Sequence, residues 1–106
     1  MTNCIFYIQN NIEPGSNIGV NKIEAPYTAY VLLYDYDLVY YDYGYNISIQ
    51  EFADFTQNNN LSYLIINLRF YNEDFINEFN NQTWHILKAG AEQEIDYQLY
   101  RILSFS

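Results

Sequence analysis

The sequence predicts an α+β fold, with one mostly antiparallel sheet of about five to six strands, two helices packed on one face, and the element order βββαβαββ. Three observations lead there. Runs of β-branched and aromatic residues recur at short intervals along the 106 residues. Two of the intervening segments carry helix-opening signals followed by apolar residues at helical spacing. A chain of this length supports one hydrophobic core, whereas two halves of about 50 residues would each be marginal, so residues 1–106 are expected to form a single domain.

Ile5 to Ile8 reads as a short apolar and aromatic strand, and the polar run from Gln9 to Glu24, with Pro14-Gly15-Ser16-Asn17 and Gly19, reads as a long loop or loose hairpin. Tyr27 to Leu33 follows Pro26 and is rich in β-formers, which suits a strand start; Leu38 to Tyr43 is the next such run. Asp35-Tyr36-Asp37 is expected to turn between them, the alternative being one bent strand through the whole tract. Gly44 and Asn46 end that run. Ser48-Ile49-Gln50-Glu51 matches the S-x-x-E capping box, and Ile49, Phe52, Ala53 and Thr56 recur at helical spacing, predicting a helix from about Ile49 to Asn58. Leu61 to Phe70 reads as the longest strand and the sheet centre, because Leu64, Ile65, Ile66 and Leu68 imply burial on both faces. Asn72 is expected to cap a second helix, with Glu73 and Asp74 in its first turn and Phe75, Ile76 and Phe79 on its buried stripe. Thr83 to Ala89 and Tyr97 to Phe105 complete the sheet as a C-terminal hairpin, separated by Gly90 and the acidic segment Glu92 to Asp96.

Composition narrows the function. Thirteen acids against four basic residues give a formal net charge of -9. Single-strand nucleic-acid readers also place aromatics on a sheet, but they need positive charge, and here phosphate is repelled at long range, so direct nucleic-acid binding is excluded. No stretch of about twenty apolar residues suggests a membrane span, the N-terminus has no basic signal-like region, and the single Cys4 offers no disulfide framework, so the expected location is the cytosol.

Candidate chemistries fail on their parts. Cys4 and His85 could in principle pair as nucleophile and base, but Cys4 lies in an apolar run without a nearby cation and reads as a buried structural thiol. His85 beside Trp84 has no second histidine with which to build a metal site, and Asp35-x-Asp37 fails the EF-hand pattern because Val39 stands where Asp or Asn is required. Gly15, Gly19, Gly44 and Gly90 fit no phosphate-loop spacing. No enzyme, metal or cofactor is therefore expected.

The most informative stretch is Tyr34 to Tyr45, which packs six tyrosines and three aspartates into twelve residues. Tyrosine offers large, rigid contact area, and clustered carboxylates steer a basic partner. If Asp35 and Asp37 share one strand face about 7 Å apart, their repulsion is about 0.6 kcal/mol in water and several-fold more in a low-dielectric interior, so they face solvent. The leading expectation is an acidic, Tyr-rich binding protein that neutralises a basic partner, an immunity or antitoxin protein blocking a toxin nuclease. The candidate contact residues are Asp35, Asp37 and Asp42 with Tyr34, Tyr36, Tyr40, Tyr41 and Tyr43, extended by Glu92, Glu94 and Asp96. Because alternate strand residues point opposite ways, about half of these tyrosines are expected in the core. Two alternatives stand beside it: a phage or viral nucleic-acid mimic that inhibits a host defence enzyme, and an aromatic cage for a cationic small ligand. A Tyr-rich outer strand without Lys or Pro also leaves a homodimer open. In size, acidity and aromatic content the chain resembles bacterial immunity proteins in general, and no motif carries residues across.

Overall fold

The computed structural model describes residues 2–24, 35–42, 48–79, 89–95 and 100–105. Five strands, β1 (Asn17–Asn21), β2 (Asp37–Tyr41), β3 (Tyr63–Asn67), β4 (Ala89–Ile95) and β5 (Tyr100–Phe105), form one sheet in the order β2-β1-β3-β5-β4. Strand β1 runs parallel to both β2 and β3, while β5 is antiparallel to β3 and β4. The described helices are α1 (Thr2–Asn11), α2 (Ile49–Asn58) and α3 (73–79). This is an α+β domain with a mixed sheet, which corrects the expected mostly antiparallel one.

The N-terminal segment also departs from expectation. Ile5 to Ile8 is helical, because Cys4, Ile5, Ile8 and Ile12 fall on one helical stripe and bury against Ile18, Val20, Ile65 and Ile102 of the sheet. The β-preference of the short Ile-Phe-Tyr-Ile run yields to this packing. Strand β3 shows that the helices occupy both faces: Leu64 and Ile66 pack with α2 and α3, while Ile65, pointing the other way, packs with α1. Among the described residues the order is αββαβαββ, with one helix on one face and two on the other, in place of the expected two helices on a single face.

The expected long loop from Gln9 to Glu24 contains the end of α1, a tight turn at Pro14-Gly15 where Gly15 has φ +89°, and strand β1. β1 reads Asn-Ile-Gly-Val-Asn, too polar to announce itself, yet it lies between β2 and β3. Gly19 explains why. A Cβ there would sit 2.6 Å from Leu61 Cδ1, 2.8 Å from Leu64 Cδ1 and 3.1 Å from Phe55 Cε1, so the missing side chain lets α2 and the start of β3 close onto the backbone.

The central elements follow their local signals. Ser48 Oγ accepts the Glu51 amide at 3.2 Å and the Ser48 amide donates to Glu51 Oε1 at 3.4 Å, which completes the capping box at the start of α2. At its far end Asn60 adopts φ +50°, the Leu61 amide donates to Thr56 O and the Asn60 amide to Gln57 O; this Schellman-type stop aims Leu61 into the core. β3 is the third of five strands and is buried on both faces, as expected, but it ends at Asn67 instead of running to Phe70. The Asn67 side chain accepts the Arg69 amide at 3.1 Å and turns the chain into a single 3-10 turn, Leu68–Phe70. Asn72 then caps α3 by accepting the Phe75 amide at 2.8 Å. Tyr41, Phe52, Tyr71, Phe75 and Phe79 form a continuous run of ring contacts with centroids 4.5 to 6.0 Å apart, which ties β2, α2 and α3 together.

In the C-terminal half, the acidic segment expected between two strands is itself strand β4, and Gly90 lies inside it where the register with β5 shifts between Ala89 and Ala91. β4 and β5 do pair antiparallel, over Ala89–Ile95 and Tyr100–Phe105. The expected strand Tyr27 to Leu33, the strand break at Gly44 and Asn46, most of Thr83 to Ala89, and residues 97–99 lie outside the described residues.

Two stability outcomes follow from this packing. Gly19→Ala lowers stability by about 1–2 kcal/mol, because overpacking of Leu61 and Leu64 exceeds the gain from a stiffer unfolded chain; a urea melt reads it as a lower midpoint at unchanged slope. The Thr56 hydroxyl is buried and has no hydrogen-bond partner among the described residues, so Thr56→Val raises the midpoint, by about 1 kcal/mol when converted.

Candidate functional site

The Tyr-Asp tract is held by the turn before β1. Gly15 N donates to Asp35 O at 2.7 Å and Asp37 N donates to Ser16 O at 3.0 Å, so the backbone on both sides of Tyr36 is tied to the Pro14-Gly15 turn. The turn expected at Asp35-Tyr36-Asp37 is present: Asp35 and Tyr36 bend the chain and Asp37 opens β2, the outermost strand of the described sheet. Asp35, Asp37 and Asp42 are all exposed. At a rise of about 3.3 Å per residue, Asp37 and Asp42 stand about 17 Å apart along this edge.

The tyrosines divide between core and surface. Tyr36 is 7% exposed, and its hydroxyl lies 2.9 Å from Ile12 O and 3.1 Å from Ile8 O at the end of α1. Its single proton satisfies one of these carbonyls at a time. Burial pushes its phenol pKa above the ordinary 10.0, and the Asp35 carboxylate adds to the rise. Tyr41 is buried on the opposite face, where its hydroxyl donates to Ile65 O and its ring packs edge-on against Phe52 and Phe55. Tyr40 is half-buried and packs on the α1 side. The described rings of the tract therefore point to both faces and do not converge on one concavity. Tyr34 and Tyr43 lie outside the described residues.

The second acidic group sits on the far edge of the sheet. Glu92 and Glu94 belong to β4, and Asp96 is outside the described residues. Glu94 pairs in register with Arg101 of β5 and approaches its guanidinium at 3.6 Å. Arg101 is itself buried, with its guanidinium carbon 5.7 Å from the centroid of the Phe79 ring. One of the four basic side chains is thus drawn into the fold. Every acidic side chain that is described is exposed, from Glu13 through Glu78 to Glu94, whereas the exposed cations among the described residues are Lys22 and Arg69.

Those two cations follow the carboxyl ends of β1 and β3, where sequence reasoning had marked nothing. Asn21 and Asn67 close these adjacent parallel strands as buried side chains, each accepting the amide two residues on, from Ile23 at 3.0 Å and from Arg69 at 3.1 Å. Asn21 Nδ2 also reaches the Tyr71 hydroxyl at 3.4 Å. The signal for this pair was a strand-ending Asn followed by a basic residue within two positions, too common in an Asn-rich chain to single out.

Cys4 is fully buried in the α1 layer. Among the described residues, no three His, Cys, Asp or Glu side chains are grouped to hold a metal ion, and no helix is long and apolar enough to cross a membrane. Comparison with protein-family models, with curated proteins and with solved structures finds no match to this chain.

The Tyr36 environment makes stability depend on alkaline pH. With its folded pKa above the unfolded value of 10.0, the neutral phenol's contribution is complete below pH 10 and is lost as pH rises through the folded value. Tyr36→Phe should be less stable than the parent by about 1 kcal/mol at neutral pH, and the gap should narrow above pH 10 in urea melts of the two proteins run side by side.

Proposed function

We propose that this protein neutralises a basic protein partner by presenting a predominantly acidic surface, and that the partner is a toxin nuclease whose substrate groove the acidic surface occupies. The observation that supports this reading is the acidic excess at the surface, where Lys22 and Arg69 are the exposed cations among the described residues. The described carboxylates all stand in solvent, while Arg101 is withdrawn into the α3 layer. A protein that needed only solubility could intersperse both signs. Here the excess is -9 over 106 residues, enough to accelerate encounter with a cationic surface and to repel nucleic acid from the same groove.

Asp35, Asp37 and Asp42 supply the steering charges, held on a backbone that the Pro14-Gly15 turn has already fixed, so little ordering entropy is lost on contact. Leu38 and the half-buried Tyr40 give that edge an apolar border. Tyr36 and Tyr41 act behind it as structure, bonding the edge to α1 and to β3.

The test is titration calorimetry against the product of the adjacent reading frame at low and high salt, with the partner's nuclease activity followed in parallel. Tight binding that salt weakens, with loss of nuclease activity, supports the reading; a folded neighbour that does not bind counts against it. In stopped-flow mixing, the variant carrying Asp35→Asn, Asp37→Asn and Asp42→Asn should associate about tenfold more slowly at low salt and show a flatter salt dependence. Unchanged kinetics would place the contact elsewhere.

A further inference from the structure

We draw no further inference here: the strongest candidate, the exposed cations Lys22 and Arg69 after the carboxyl ends of the adjacent parallel strands β1 and β3, carries none, because Arg69 already has a partner, the chain leaves β1 into residues 25–34, which lie outside the described residues, and nothing in the structure shows what covers these strand ends.

Discussion

Gly19 lies in β1, with β2 on one side and β3 on the other, and the side chains of Leu61, Leu64 and Phe55 fill the space that any side chain at that position would need. The rest of the α2 face depends on this close approach. Leu61 reaches the backbone of β1 because α2 stops at a left-handed Asn60, and α2 is seated low enough for Phe52 and Phe55 to meet the ring of Tyr41. Phe52 then touches Tyr71 and Phe75, Phe75 stacks on Phe79, and Phe79 carries the Arg101 guanidinium. A single missing Cβ is transmitted through van der Waals contact to the opposite edge of the helix layer, as close-packed interiors require.

The tyrosine-rich tract combines two roles that composition alone does not separate. Tyr36 and Tyr41 each bury a ring and satisfy a hydroxyl on a main-chain carbonyl, on opposite faces of the sheet. The aspartates between and beyond them remain in solvent. The polar tip of tyrosine allows the same residue type to line the core and border the surface, and here the core tyrosines hold the acidic edge in place.

Elements with local chemical signatures were legible from the sequence. The Ser48 to Glu51 capping box, the Asn72 cap with its acidic first turn, and the doubly buried run at Leu64 to Ile66 each state their structure within a few residues. Strand β1 was not, because its place in the sheet comes from what closes over Gly19, about 40 residues further along the chain. α1 was misread because four adjacent apolar and aromatic residues fit both periods until Cys4 and Ile12 are counted with them. Parallel or antiparallel pairing lay beyond reach, since β1 is matched to strands on both sides by tertiary contact and by no turn. For the candidate site, exposure of the aspartates followed from Coulomb repulsion, whereas the division of the tyrosines required the register of β2, and the burial of Arg101 required the hairpin that pairs it with Glu94.

The placement of β1 has a kinetic side. Its partner in β3 lies about 45 residues further along the chain, at Tyr63 and Leu64. Closing so long a loop costs entropy before it returns any contact, while β4 and β5, neighbours in sequence, can zip together locally. As the chain leaves the ribosome, α1, β1 and β2 can meet before β3 exists, but β1 lacks its β3 neighbour until Tyr63 and Leu64 have been synthesised. The parallel half of the sheet is therefore the slow part of folding and the period in which this chain is most open to chaperones and to misassembly.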